Sequence, residues 1–241
     1  MLIEQYNEFC FWYDTKREKP FKAVKFTFNY ESSKEDKSII DEIIEKWYQL
    51  SKRVNKWAAN NTTGRRSDTR LIINATAWLL AEWAWLRFLK NNWIEATWTP
   101  FHEAKNQIDL KLINSNKTIE VRSSFPRNWI SFAICHPKFQ FGVIWPYSNN
   151  YKIWEIKKDF YVTTLFPFDT LLFNEKIKHN NFVFYLVGWA TYEMMQTKWI
   201  EKDLIPEWGL VYWERAKYLI IPYNSSLDAY GIMEEMKKQN C

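Results

Sequence analysis

The chain has 241 residues, 47% of them hydrophobic, and a formal net charge of +5. This length and composition are typical of one globular domain with its own core and exclude a disordered tail. The first residues lack the basic start and apolar run of a signal peptide, and no apolar run approaches the roughly 18 residues of a membrane span, so we expect a cytoplasmic protein with no membrane partner.

The first predicted elements are a strand and a helix. Residues 21–30 alternate apolar and polar side chains, and this period of two predicts a half-buried strand. Residues 38–60 carry apolar side chains at helical spacing and predict a long amphipathic helix. No Pro- or Gly-rich linker follows them. We therefore expect residues 1–70 to form an N-terminal strand-helix extension packed on a core of residues 71–241.

A basic loop is predicted after that helix. The stretch 60–70 reads NNTTGRRSDTR and contains Arg65, Arg66 and Arg70. Arginine and hydroxyl side chains are common phosphate contacts in nucleic-acid complexes, so these three arginines are candidate nucleic-acid-binding residues. The net charge of +5 is compatible with such a partner. A solvated loop without a ligand is the alternative interpretation.

Residues 74–90 predict a second helix with an acid on its apolar face. The positions that fall on this face are Ala75, Trp78, Leu79, Glu82, Leu86 and Leu89. An unpaired carboxylate in the middle of an apolar stripe would cost several kcal/mol. A functional role would explain Glu82, and so would a buried arginine partner or a place at the edge of the stripe beside Trp83.

Residues 106–124 predict a β-hairpin with four charged side chains on one face. Apolar residues alternate there with Asp109, Lys111, Glu120 and Arg122. A two-residue loop at 115–116 would place Lys111 opposite Glu120 and Asp109 opposite Arg122, so that Asp109 and Glu120 become diagonal neighbours. A hard divalent cation such as Mg²⁺ would bridge two such carboxylates. Simple cross-strand ion pairs on a solvated face are the alternative.

The rest of the chain is predicted to be rich in strands. Patterns typical of strands cover residues 130–134, 139–145, 152–156, 160–165, 182–188, 210–212 and 218–221, and helices are predicted at 193–202 and 227–238. No Walker loop, GxGxxG, GxSxG or zinc-ligand spacing occurs in the sequence. The order of elements indicates an α/β or α+β fold with a mixed central sheet.

The order of charged residues in the hairpin resembles the PD-(D/E)XK nuclease superfamily. In that family an Asp on one strand and a Glu on the next hold Mg²⁺, and a Lys two residues beyond the Glu orients or activates the attacking water. The resemblance implies that Asp109 and Glu120 are metal ligands and that Arg122 stands at the lysine position. Ile108 stands where the family usually has Pro.

The same resemblance implies a third acid and a fold. Nuclease-like folds of this family often carry a Glu in the first core helix, which implies that Glu82 faces the metal. The implied architecture is a restriction-endonuclease-like mixed central β-sheet flanked by helices, and the likeness spans residues 74–236. An arginine stays protonated in proteins, so Arg122 cannot be a base; Arg122 or Lys111 would instead stabilise charge on the phosphate.

The function implied by this resemblance is a Mg²⁺-dependent endonuclease that hydrolyses DNA phosphodiester bonds, of restriction, phage or defence type, with Mn²⁺ expected to substitute. The departures at Ile108 and Arg122 leave open a catalytically inactive nucleic-acid-binding module on the same fold. The 15 tryptophans leave open a structural or assembly protein with a Trp-rich surface. A monomer and a homodimer are both compatible with the sequence.

Overall fold

The computed structural model describes residues 1–8, 20–51, 68–100, 108–126, 134, 142–144, 156–204, 216–222 and 225–240. The strands in these residues are β1 (Leu2–Glu8), β2 (Phe21–Phe28), β3 (Ala96–Trp98), β4 (Leu110–Leu112), β5 (Thr118–Ser124), β6 (Gly142–Ile144), β7 (Phe160–Leu165), β8 (Phe182–Thr191), β9 (Ile200–Leu204) and β10 (Ala216–Pro222). They form a seven-stranded sheet of order β1-β2-β8-β7-β5-β4-β3 and a three-stranded sheet of order β6-β10-β9.

Helices flank the larger sheet. They are α1 (Lys34–Ser51), α2 (Asp68–Asn91), α3 (Phe173–Lys176), α4 (Tyr192–Thr197) and α5 (Ala229–Gln239), with a 3₁₀ turn at Thr170–Leu172. The pairing of β5 with β7 is parallel, and the other strand pairs of the described residues are antiparallel. The predicted α/β (α+β) class with a mixed central sheet is confirmed; the restriction-endonuclease-like topology stays a prediction.

Two apolar clusters hold the layers together. The larger cluster joins α1, α2 and α5 to the sheet and includes Ile119 and Val121 of β5. The smaller cluster contains Tyr161 and Leu165 of β7 with the α4 methionines. Since successive side chains of a strand point to opposite faces, the alternate residues of β5, Glu120 and Arg122, point away from the larger cluster.

Helix α2 is buried over more of its circumference than the predicted stripe implies. Its most buried side chains include Leu80, Ala81, Ala84 and Trp85, none of which lies on the predicted face. Trp78 and Leu86 of that face are only partly buried. The predicted face was therefore partly wrong, because α2 packs against both α1 and the sheet. Glu82 is nevertheless 3% exposed, as the apolar surroundings in the sequence had suggested.

The hairpin has a longer loop than predicted. Strand β4 ends at Leu112 and β5 begins at Thr118, and the Leu112 amide donates to the Lys117 carbonyl at 2.8 Å. Asn116 adopts a φ of 58°, in the left-handed region that asparagine tolerates. Leu110 pairs with Ile119 and Lys111 with Thr118. The predicted pairing of Lys111 with Glu120 was therefore wrong by two residues, a shift that leaves every side chain on its predicted face.

Both ends of the chain supply parts of the larger sheet and its cover. Within residues 1–70, strand β1 forms one edge of the sheet, and β2 lies next to it and pairs with β8. The helix predicted at 193–202 was wrong in its second half, since α4 ends at Thr197 and β9 begins at Ile200. Among the helices of the described residues, none is both long enough and apolar enough to cross a bilayer.

Candidate active site

Glu120 in β5 is held between two cations. Lys158 Nζ lies 3.1 Å from Glu120 Oε2, and Arg122 Nη2 lies 3.4 Å from Glu120 Oε1. The Lys158 side chain is 2% exposed, Glu120 12% and Arg122 20%. Charges with so little access to water are screened weakly, so these contacts fix the orientation of the Glu120 carboxylate.

Lys158 was not among the predicted site residues. It stands just before β7, the strand that runs parallel to β5, with Glu120 paired to Tyr161. The Lys158 amide donates to the Tyr161 hydroxyl at 3.2 Å, which fixes the backbone at the start of β7. A parallel neighbour comes from a distant part of the chain, so the local pattern around the hairpin carries no sign of this lysine.

Asp109 lies at the point where β4 and β5 stop pairing. Its side chain is 4% exposed, and its Oδ2 accepts a hydrogen bond from the Val121 amide at 2.7 Å. In a regular ladder a main-chain carbonyl would accept that bond. The recorded pairs of β4 with β5 are Leu110 with Ile119 and Lys111 with Thr118, so the diagonal placement of Asp109 and Glu120 stays a prediction.

Glu82 approaches this pair from α2. Its Oε1 atom is buried and has no hydrogen-bond partner among the described residues. Burial and the charge of Asp109 raise the pKa of Glu82 well above its ordinary value; Glu120 adds to the rise, and a hydrogen bond from Trp98 opposes it. The surroundings of Glu82 therefore favour its protonated form, and a nearby positive charge would oppose that effect.

Of the five predicted catalytic residues, Arg122 contacts Glu120, Asp109 accepts from the Val121 amide beside Glu120, and Glu82 is near enough for the charges of Asp109 and Glu120 to raise its pKa. The fifth, Lys111, pairs with Thr118, and its predicted position facing Glu120 is wrong. Of the predicted nucleic-acid-binding residues, Arg65 and Arg66 lie outside the described residues. Arg70 belongs to the first turn of α2, and its side chain also lies outside the described part.

The donor set suits a hard cation. Carboxylate oxygens are the ligands that Mg²⁺ and Mn²⁺ prefer, and the partnerless Glu82 oxygen is the kind of atom that a bound ion satisfies. In the part of the chain that the structure describes, no three acidic, Cys or His side chains are yet close enough to hold one ion together. Binding of one ion by all three carboxyl groups would therefore require these side chains to move closer together.

Comparison with known proteins yields no relative: no family model, no curated protein and no solved structure matches the chain. The likeness to PD-(D/E)XK nucleases therefore rests on the residues of this chain alone. Those residues are the two hairpin acids, the arginine two positions beyond Glu120 and the acid of α2.

Proposed function

We propose that the chain is a metal-dependent endonuclease that hydrolyses DNA phosphodiester bonds in the cytoplasm. The observation that carries the proposal is the buried Glu82 carboxyl, whose Oε1 has no partner and whose pKa is raised by burial and by Asp109. Leaving a polar atom unpaired in the interior is costly, and a second acid beside it increases the cost. A cation that appears only in the working state offsets both.

In this proposal Asp109, Glu120 and Glu82 would hold Mg²⁺, or Mn²⁺ in its place. When bound, the ion would lower the pKa of a water molecule and neutralise charge on the scissile phosphate. Lys158 is almost fully buried, so we assign it the positioning of Glu120. Arg122 is 20% exposed, more than Lys158, so we assign it the contact with substrate. It would stabilise the negative charge that builds on the phosphate oxygens.

The catalytically inactive nucleic-acid-binding module is favoured by a different observation. Each Glu120 oxygen already has a cation within 3.4 Å, so this acid is neutralised without metal. Such a module would bind DNA through phosphate contacts with a steep salt dependence. Replacing Arg65 and Arg66 together with alanine should then reduce the salt slope by roughly one to two units, with or without cleavage.

The test is plasmid cleavage in Mg²⁺ or Mn²⁺ by Asp109→Asn and Glu120→Gln. Each amide keeps the shape and one acceptor oxygen but weakens metal binding, so both variants should lose cleavage. Asp109→Asn still accepts from the Val121 amide and should unfold close to the wild-type temperature. Glu120→Gln leaves the buried Lys158 without its acid and should unfold at a lower temperature, so its cleavage is compared where the variant is still folded. Asp41→Asn is the matched control, because Asp41 accepts a hydrogen bond from Tyr30 at an exposed site on α1. Wild-type cleavage rates in both site variants would refute the proposal.

A second comparison assigns the cation. Arg122→Ala should lower the cleavage rate by orders of magnitude, whereas Lys111→Ala should cut nearly normally because Lys111 pairs with Thr118 rather than Glu120. A severe Lys111→Ala defect with an active Arg122→Ala variant would reverse these roles. If both alanine variants cut normally, the binding module becomes the better account.

A further inference from the structure

A cavity of about 340 Å³ lies between α1, α2 and β3. Its walls are aromatic and aliphatic, with Trp78 and Trp83 from α2, Trp98 from β3 and Ile43 from α1. The volume falls within the roughly 300–1,000 Å³ of small-ligand pockets. Trp98 is 40% exposed, so one wall is accessible from outside.

The cavity contains a buried hydrogen-bonding group. Glu82 contributes to its wall, and Glu82 Oε1 is the buried oxygen that has no partner. That oxygen is the one assigned to the proposed metal ion, so the ligand of the cavity is selected by its aromatic walls. A flat aromatic ligand would stack on the tryptophans.

The cavity borders the candidate active site. Trp98 pairs with Leu110 in the β3–β4 ladder, and the next residue, Thr99, donates its amide to the Asp109 carbonyl at 3.3 Å. Thr99 also lines the cavity, and Glu82 belongs to both places. A ligand in the cavity is therefore adjacent to the acids proposed to hold the metal.

The outer wall carries a positive charge. Lys46 Nζ lies 4.6 Å from the centre of the Trp98 ring and 2.8 Å from Glu42 Oε1. Both lysine and glutamate side chains are exposed, at 47% and 65%, so the pair is held weakly and Lys46 is able to turn toward a phosphate. An aromatic cavity with a cation at its mouth matches a base and its backbone.

We propose that this cavity receives one nucleobase, unstacked from its strand, beside the phosphate that the acidic site would cleave. The proposal rests on the proposed nuclease function, because it names what that site recognises. The tryptophans supply stacking surface that is tolerant of sequence, and Lys46 at the mouth is placed to meet the backbone phosphate. Enzymes that place a base in such a pocket must offset the lost stacking in the strand, and stacking on aromatic side chains does so.

Binding measured without metal tests the proposal separately from cleavage. The probe is a set of fluorescently labelled single strands in EDTA, each with one base replaced by an abasic site, titrated by anisotropy. Trp98→Ala should weaken binding of the intact strand roughly 5- to 150-fold, the value of one stacked base. The control is Trp93→Ala, since Trp93 is 94% exposed beyond the end of α2 and should bind like wild type.

The position of the base follows from combining variant and probe. Wild-type protein should bind the strand that is abasic at one particular position more weakly than the intact strand. Trp98→Ala should bind these two strands with equal affinity. Trp98→Phe should restore most of the affinity and the abasic effect, which a merely misfolded alanine variant would not explain. Unchanged binding by Trp98→Ala, or equal abasic effects in both proteins, would overturn the proposal.

Two further measurements distinguish a base in a strand from a free nucleotide, and failure of the base site from failure of the nuclease proposal. Free mononucleotides should compete only weakly with the strand; tight mononucleotide binding that Trp98→Ala abolishes, with strand binding intact, would overturn the proposal in favour of a free-nucleotide site. Asp109→Asn should keep the abasic effect. If the abasic effect persists while wild-type protein never cuts, the nuclease proposal fails and the base site stands. Normal cleavage without a Trp98 effect refutes the base site alone.

Discussion

Replacing Lys158 by methionine should destabilise the protein far more than the same change at Lys117. Lys158 Nζ is 3.1 Å from Glu120, and the two side chains are 2% and 12% exposed. Removing one partner of a buried ion pair costs about 3–5 kcal/mol, because the other charge stays in a poorly solvated place. Arg122, 3.4 Å from Glu120, keeps part of the compensation. We therefore expect a loss near the lower end of that range, about 3 kcal/mol.

Lys117 provides a control of the same chemistry. Its Nζ lies 3.0 Å from Asp159 Oδ1, almost the same distance, but the two side chains are 40% and 33% exposed. Exposed pairs are screened by water and contribute at most about 1 kcal/mol, so Lys117→Met should cost no more than this. The difference between the two variants isolates the effect of burial, since residue type and replacement are identical.

The assay is equilibrium unfolding in urea, with the free energy extrapolated to water and the slope compared between variants. Adding Glu120→Gln to Lys158→Met should recover part of the lost stability, because the acid no longer needs its cation. Equal losses for Lys117→Met and Lys158→Met would refute the reasoning. A double variant weaker than Lys158→Met alone would do the same.

Two other changes test the fold and the electrostatics. Gly188→Ala should cost about 3 kcal/mol or more or prevent folding, because Gly188 has a φ of 67° and a Cβ would lie 2.4 Å from the Asp228 carbonyl. Gly231→Ala, whose Cβ would meet the Asp228 side chain at 3.3 Å and the Leu227 side chain at 3.5 Å, should change the thermal unfolding temperature little. The raised pKa of Glu82, caused first by burial, means that the folded state keeps this proton to higher pH than the unfolded chain does. As the pH rises from the ordinary to the raised pKa of Glu82, the free energy of unfolding of the wild type should therefore fall by about 1.4 kcal/mol per pH unit. Glu82→Gln should remove this pH dependence, which is measured by urea unfolding at a series of pH values. Identical pH slopes for the two proteins would contradict the assignment.

The apolar pattern of the sequence predicted the parts of the fold that depend on burial. Residues 160–165 form β7 with the predicted bounds, and the alternating apolar residues of the hairpin, such as Leu110 and Val121, are buried. The predicted register of the hairpin was wrong. A two-residue loop and the observed loop at 113–117 leave the same side chains on the same face of the hairpin, so the apolar pattern does not distinguish them. A slip of two residues is invisible to a pattern whose period is two.

The candidate site was predictable only where it lies within one local element. Asp109, Glu120 and Arg122 belong to one hairpin, and Glu82 was noticeable as an acid among apolar residues of one helix. Lys158 could not be found, because its contact with Glu120 depends on β7 lying beside β5 in the sheet order. That order is set by packing of the whole chain rather than by any short stretch of it.

The hydrogen bond from the Val121 amide gives the Asp109 carboxylate a structural role in addition to the chemical role that we propose for it. A truncation at Asp109 would remove an acid and also leave a main-chain amide between two strands without its acceptor. Loss of activity in an alanine variant would then have two explanations: the loss of a metal ligand, or the separation of the two hairpin strands. Substitutions at this position are consequently restricted to side chains that still accept a hydrogen bond from the Val121 amide. In evolution, an inactive form of the protein would therefore more readily carry asparagine than alanine at position 109.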